Sequence, residues 1–342
     1  MKKALLALLQ LGLTVGLLYW VFHDPYKRQA LQDEFMRADW RWLAAGVGAY
    51  GMFELLAGIR WQILLRVQGI HISWWRLYGL LLVGLFFSLF IPGGTGGDII
   101  KGYYLLKEAP VGRKTSAALS VVMDRLLGLL GVAVLLGVIT AVRWKWLTTD
   151  PLIANCVYSS FVIIGVCVAG MLVAAVISHF RLVHALPEKL PGRSFVATLS
   201  GAYAVYARAW LPTAAAILIS IFAHAAHYTT FWFCTKAIEA TGPRKPTAEE
   251  IYSALPVIET VAALPITPGG LGTREKLFDE MLTPLANLSE GVAPTISVLG
   301  YLCIAFWGVV GGVFYMFYRP SRKERSAILA ETRAQLKGTR LG

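Results

Sequence analysis

The residues best suited to chemistry in this chain lie beside two glycine-rich turns, each of which interrupts an apolar stretch. The first turn, PGGTGGD, covers residues 92–98, and the second, PGGLGTR, covers residues 268–274. Both fit the pattern P-G-G-x-G. Glycine lets a chain reverse sharply and lets backbone N–H groups approach a ligand closely. The recurrence of such an unusual pattern predicts an internal repeat whose two copies serve the same purpose.

Ionisable side chains accompany both turns. Each one costs roughly 3 kcal/mol at the centre of a bilayer unless it is paired or hydrated. The charges could therefore be internal ion pairs, or they could line a polar path for a charged head group. Arginine suits phosphate because its planar guanidinium donates two parallel hydrogen bonds. The carboxylates could pair with the arginines, accept a hydrogen bond from a cationic amine, or carry a proton. The set comprises Glu54, Arg60, Asp98, Lys101, Asp124, Arg125, Glu259, Arg274 and Glu275.

Composition predicts that membrane helices position these residues. Of 342 residues, 56% are hydrophobic and 15% are charged, against about 25% charged in an ordinary soluble domain. The bulky end of the first apolar run lacks a signal-peptide cleavage site, so we expect that run to be retained as a helix. Full crossings are predicted at about 4–22, 42–66, 117–142, 157–178, 211–235 and 296–318, with broken segments at 77–105 and 251–283.

The distribution of basic residues predicts the topology. Lysines and arginines favour the cytoplasmic side of a membrane, and their positions agree only if the two broken segments are re-entrant hairpins entering from opposite faces. The predicted fold is an all-α polytopic membrane protein with about six full transmembrane helices and two re-entrant hairpins in an inverted-topology repeat. The repeats would cover 1–150 and 151–320, followed by a basic cytoplasmic tail at 321–342. Residues 194–209 are predicted to form a helix at the cytoplasmic surface.

Several other kinds of site are disfavoured by the sequence. The glycine turns match neither the P-loop nor a dinucleotide fingerprint. The four cysteines lie in apolar runs without a CxxC pair, and His224 and His227 lack a third metal ligand. The net charge is +12. The basic residues lie beside membrane segments, so we expect them to face anionic lipids rather than nucleic acid. We expect no cofactor, no metal and no nucleic-acid partner. The glycines themselves either present helix N-termini to an anion or pack two short helices tightly.

Four stretches of the chain resemble the flippase-like integral membrane family, whose members include the membrane half of bacterial lysyl-phosphatidylglycerol synthases. They are RWQILLR from Arg60, IPGGTGGDIIKGYYL from Ile91, VVMDRLLGL from Val121 and LPITPGGLGTREKLF from Leu264. The resemblance implies lipid translocation. Because the sequence ends about twenty-five residues after the last predicted helix, we expect the aminoacyl-transferase domain of the synthases to be absent.

The function expected from the sequence is a lipid translocator of the bacterial inner membrane, with both termini cytoplasmic, and not an enzyme. Its partners would be membrane lipids with a phosphate-bearing head group, while homo-oligomerisation and coupling to an ion or proton gradient stay open. The alternatives are a non-transporting membrane partner and an enzyme that modifies lipid head groups. The candidate substrate-binding residues, most of them carried by the resemblance, are Pro92, Gly93, Gly94, Gly96, Gly97, Asp98, Lys101, Asp124, Arg125, Glu259, Pro268, Gly269, Gly270, Gly272, Arg274 and Glu275.

Overall fold

A computed structural model describes residues 29, 32–33, 35–91, 96–110, 112–180, 193–238, 244–264, 267 and 270–318. Within these ranges the regular structure is entirely helical, which confirms the predicted all-α membrane fold. The predicted first crossing at 4–22 and the basic tail at 321–342 lie outside the described residues. So do five of the candidate site residues at the turn tips, namely Pro92, Gly93, Gly94, Pro268 and Gly269.

The helices are numbered here from Trp40 onward. Five of those in the described part of the chain, α1, α4, α5, α7 and α10, are long and apolar enough to cross a membrane. They coincide with the crossings predicted from 42–66 to 296–318. The full set is α1 (Trp40–Val67), α2 (Trp74–Phe90), α3 (Gly96–Glu108), α4 (Lys114–Leu147), α5 (Pro151–His179), α6 (Arg193–Arg208), α7 (Trp210–Ala237), α8 (Ala248–Ala262), α9 (Thr273–Leu277) and α10 (Val292–Phe317).

Each broken apolar segment forms a pair of short helices. Helices α2 and α3 have 17 and 13 residues, or about 25 and 20 Å at 1.5 Å per residue, so each is shorter than the ~30 Å hydrocarbon layer. In the second segment, α8 is followed by α9, which continues through a π-helix at Phe278–Leu282 and a final turn at Thr283–Leu285. The break in each stretch is confirmed. Re-entry from opposite faces stays a prediction.

The order of elements is the same in both halves: a helix of 28 residues, a pair of short helices, and a long helix. Helices α1 and α7 form the most extensive helix–helix contact in the described chain. The first hairpin packs through α2 on α10 of the second half, and the second hairpin packs through α8 on α4 of the first half. The division into two repeats and their inverted relation stay predictions.

Glycines permit the closest of these helix contacts. A Cβ atom on Gly97 of α3 would overlap the hydroxyl of Ser88 and the carbonyl of Gly84 on α2. A Cβ atom on Gly311 of α10 would overlap the carbonyl of Leu82 on α2. The first hairpin is therefore held together, and held against α10, by backbone contacts that a larger residue would prevent.

Helix α4 is longer than the predicted crossing at 117–142. It has 34 residues, and Arg143 departs from helical geometry with φ −112° and ψ 18°. Arg143, at this kink, pairs with Glu249 near the start of α8. Helix α6 coincides with the predicted segment 194–209, while its position at the membrane surface stays a prediction.

Candidate functional site

The first charged cluster joins α1, α3 and α4 through Arg60, Asp98, Lys101, Asp124 and Arg125. Asp124 accepts hydrogen bonds from Arg60 Nε at 2.8 Å and from Lys101 Nζ at 3.3 Å. Lys101 also lies 3.2 Å from Asp98, which pairs in turn with Arg125. Three helices are thus connected by alternating positive and negative side chains.

The hydrogen-bonding capacity of the first charged cluster is largely used. Arg60 Nη1 donates to Ser220 Oγ of α7 at 3.1 Å, and Gly128 leaves the space that this guanidinium occupies. The Lys101 ammonium also lies 4.5 Å from the centre of the Trp61 ring. Among the described residues, no side-chain atom of this cluster is both buried and without a hydrogen-bond partner. Its one well-exposed member is Arg125, whose side chain is 59% exposed.

The second charged cluster joins α7, α8 and α9 through His227, Glu259, Arg274 and Glu275. Its ion pairs are longer than those of the first charged cluster. Glu259 Oε1 lies 3.5 Å from His227 Nε2 and 3.9 Å from Arg274 Nη1, and Arg274 Nη2 lies 3.8 Å from Glu275 Oε1. These separations exceed ordinary hydrogen-bond distances.

Glu275 is nevertheless fully engaged. Its Oε2 accepts from the backbone N–H of Gly272 at 2.6 Å, and its Oε1 accepts from Ser297 Oγ of α10 at 3.1 Å. Gly272 has φ +82° and Gly270 has φ +75°, a conformation that favours glycine. The second glycine turn therefore ends in a cap that fixes the start of α9 and places Arg274 immediately after it.

Several polar atoms around Arg274 have no hydrogen-bond partner among the described residues. The side chain of Arg274 is only 5% exposed, and its guanidinium lies over the rings of Phe231 and Tyr301 at 5.7 and 5.3 Å. Burial without a partner costs a polar group free energy, so these atoms form a site with unused capacity. They are Arg274 Nε, Arg274 Nη2, Glu259 Oε1 and His227 Nδ1.

Two buried residues of α1 lie between the clusters. Tyr50 and Glu54 are one helical turn apart, so they share a face. Helix α1 also supplies Arg60, which pairs with Asp124 in the first charged cluster. The Tyr50 ring also packs against His227, with ring centres 5.6 Å apart. The two clusters therefore form one polar band across the interior.

The structure brings the charged members of the predicted site together in two groups rather than one. Asp98, Lys101, Asp124 and Arg125 lie in the first charged cluster, and Glu259, Arg274 and Glu275 lie in the second. Gly96 and Gly97 are buried packing positions, whereas Gly270 and Gly272 shape the second turn.

Sequence reasoning left four participants out of the predicted site. Arg60 and Glu54 stood out as ionisable residues in an apolar helix, and the four-residue spacing of Tyr50 and Glu54 would have added Tyr50. His227 was noted only as a weak metal ligand. Instead, His227 pairs with Glu259, and His224 Nε2 lies 3.1 Å from the Gly128 carbonyl. Among the described residues, no three potential metal ligands form a group.

Comparison with known proteins places the chain in a family. Residues 7–312 match the family described as the lysylphosphatidylglycerol synthase TM region. The UPF0104 membrane protein PH1989 of Pyrococcus horikoshii is 27% identical over 135 residues, which cover 39% of this chain and 39% of that protein. No solved structure matches the chain. Because the family match spans nearly the whole sequence, the chain belongs to the lysylphosphatidylglycerol synthase TM region family, a multi-pass membrane family whose role is lipid-related.

Proposed function

We propose that this protein translocates a phospholipid or lipid-linked head group between the leaflets of the bacterial inner membrane. The single observation that carries the proposal is the buried guanidinium of Arg274, with two N–H-bearing nitrogens that have no hydrogen-bond partner among the described residues. A phosphate is the natural ligand for such a fork, because it accepts two parallel charge-assisted hydrogen bonds. The membrane context supplies phosphate in one abundant form, the lipid head group.

The energetics favour a ligand over a purely structural role for Arg274. An unsatisfied buried donor costs about 1 to 3 kcal/mol, and more when it is charged. Glu259 and Glu275 stabilise the guanidinium by their charge, but at 3.8 to 3.9 Å neither carboxylate accepts a hydrogen bond of ordinary length from it. A head group bound here would relieve this cost, so the free energy of binding would include the recovered hydrogen bonds.

The position of the site among membrane-spanning helices supports translocation. The acyl chains of a lipid can stay in the bilayer, so the main barrier is the transfer of the polar head group across the hydrocarbon layer. The polar band from the first charged cluster to the second offers partners along that path. The two hairpins, entering from opposite faces, would close the path alternately, as alternating access requires. Both termini would be cytoplasmic, and transport would be downhill or coupled to an ion or proton gradient.

Reconstitution tests the proposal directly. Purified protein is placed in liposomes containing phospholipids with a fluorescent label on one acyl chain, and the fraction of label accessible to an added quencher is followed with time. We expect the wild-type protein to equilibrate the leaflets faster than protein-free liposomes do. A rate equal to that of protein-free liposomes for every phospholipid, with and without an imposed ion or proton gradient, would contradict translocation and would favour a non-transporting partner.

The role of Arg274 is tested in the same assay. Arg274→Ala should lower the rate by about tenfold or more, the loss expected for hydrogen bonds to a charged group, and Arg274→Lys should recover only part because it lacks the fork. Lys145→Ala is the matched control, since Lys145 is an exposed cation at the end of α4. Equal rates for Arg274→Ala and Lys145→Ala would show that Arg274 does not contact the head group.

A further inference from the structure

The second charged cluster offers an unused acceptor as well as unused donors. Glu259 Oε1 accepts no hydrogen bond from the described residues, although its carboxylate lies close to Arg274 and His227. Arg274 Nε and Nη2 are unused donors beside it. A bare phosphate would satisfy only the guanidinium. The carboxylate requires a ligand that also carries an N–H or O–H group.

The charge of the cluster points in the same direction. Two carboxylates, Glu259 and Glu275, face the single guanidinium of Arg274, and His227 Nε2 lies 3.5 Å from Glu259 Oε1. Glu275 is occupied by the Gly272 N–H and the Ser297 hydroxyl. Glu259, whose side chain is 24% exposed, is the carboxylate that remains available to a cation. A ligand with a phosphate and a protonated amine would neutralise both kinds of unpaired group.

The first charged cluster does not compete for such a ligand. Its carboxylates, Asp98 and Asp124, each pair with two cations at close range. Displacing those partners would expose a buried charge, which costs several kcal/mol. Recognition of an amine therefore falls to the second charged cluster.

We propose, as an extension of the translocator function proposed above, that the second charged cluster selects zwitterionic head groups with a hydrogen-bond-donating amine. Arg274 binds the phosphate, and Glu259 accepts an N–H bond from the ammonium group. Hydrogen bonding, in addition to charge, distinguishes a primary ammonium from a quaternary one. A quaternary ammonium has the same formal charge as a primary one but no proton to donate, so it leaves Glu259 Oε1 without a partner in the dry interior.

The test is a series of lipids that differ only in N-methylation. Phosphatidylethanolamine, its N-methyl and N,N-dimethyl derivatives, and phosphatidylcholine are prepared with the same acyl-chain label and measured in wild-type proteoliposomes. The first three retain an N–H donor and the last does not. We expect modest changes across the first three and a drop of about tenfold at phosphatidylcholine, the size expected for a lost hydrogen bond to a charged group.

Two variants assign the selectivity to a residue. Glu259→Ala removes the acceptor, so the rates for phosphatidylethanolamine and phosphatidylcholine should become equal within about twofold. Glu290→Ala, which removes an exposed carboxylate from the loop before α10, should preserve the wild-type selectivity.

The outcomes separate the two proposals. Equal acceleration of all four lipids by the wild-type protein would overturn amine selection and leave translocation standing. No acceleration of any lipid would overturn translocation itself. Selectivity that persists in Glu259→Ala would remove Glu259 from the recognition site. The wild-type series does not depend on any variant, so a variant that fails to fold leaves the main test intact.

Discussion

The two charged clusters differ in how completely they satisfy their own polar groups. In the first, Asp124 lies 2.8 Å from Arg60 and 3.3 Å from Lys101. In the second, Arg274 comes no closer than 3.8 Å to a carboxylate and keeps unbonded buried nitrogens. Both contain the kinds of residue that the sequence marked as candidates. The proposal of a binding site at the second charged cluster therefore rests on its unsatisfied hydrogen-bonding capacity and not on the presence of charge alone.

The difference also suggests a division of roles. Ion pairs connect α1, α3 and α4, so the first charged cluster supports the first hairpin structurally. The second charged cluster holds its glycine turn with Glu275 and leaves Arg274 and Glu259 available. A π-helix follows directly at Phe278–Leu282, and such irregular turns occur often at functional sites.

The largest effect on stability should come from removing one ion-pair partner from the first charged cluster. Arg60→Ala leaves Asp124 buried with Lys101 as its remaining partner, and breaking a buried pair in this way costs roughly 3 to 5 kcal/mol. Arg274→Ala also removes a cation from beside two carboxylates, but it breaks no hydrogen bond of ordinary length to either of them, so its cost should be smaller than that of Arg60→Ala. Both losses of stability can be measured by heating the purified variants and determining the fraction of protein that stays monodisperse at each temperature. Similar losses would remove the distinction between the clusters.

The next largest effect concerns the packing that supports the first charged cluster. Gly97→Ala places a Cβ against Ser88 and the Gly84 carbonyl, so α2 and α3 must separate at a cost of up to about 3 kcal/mol. Gly102→Ala is the matched control on the same helix, where the nearest atom is Val121 Cγ2 at 3.9 Å. The same thermal assay should show a clear loss only for Gly97→Ala. Equal behaviour would mean that the crossing is not tightly packed.

A smaller effect separates the two carboxylates of the second charged cluster. Glu275→Ala leaves the Gly272 N–H and the Ser297 hydroxyl without their acceptor, which should cost about 2 kcal/mol of stability. Glu259→Ala breaks no hydrogen bond of ordinary length, and Arg274 keeps Glu275 as a neighbour, so the unfolding temperature should fall less than in Glu275→Ala. The reverse order of stabilities would exchange the structural and ligand-binding roles assigned to the two residues.

The smallest effect is expected at the exposed edge of the first charged cluster. Arg125 pairs with Asp98, but its side chain is 59% exposed, against 8% for that of Arg60, and its removal leaves Asp98 with Lys101 as a partner. Arg125→Ala should therefore change the unfolding temperature by much less than Arg60→Ala does. A loss as large as that of Arg60→Ala would show that Arg125 belongs to the buried network.

Much of the fold could be predicted from the sequence. The crossing predicted at 42–66 corresponds to α1 at Trp40–Val67, and the one predicted at 211–235 corresponds to α7 at Trp210–Ala237. Apolar length is a local property, so it survives without tertiary information. The end of α4 was missed because apolar length does not reveal where a helix bends, and its last turn pairs instead with a residue 106 positions away.

The sequence by itself determined the membrane class, the long helices, the two glycine turns and the set of ionisable residues beside them. Only the tertiary structure decided which charges meet. Asp124 and Arg125 are adjacent, yet one pairs with Arg60 and Lys101 and the other pairs with Asp98. Successive residues on a helix point about 100° apart, so neighbours in sequence face different helices. Partner choice, and hence which polar atoms stay unsatisfied, depends on packing between segments as far apart as Arg60 and Ser220.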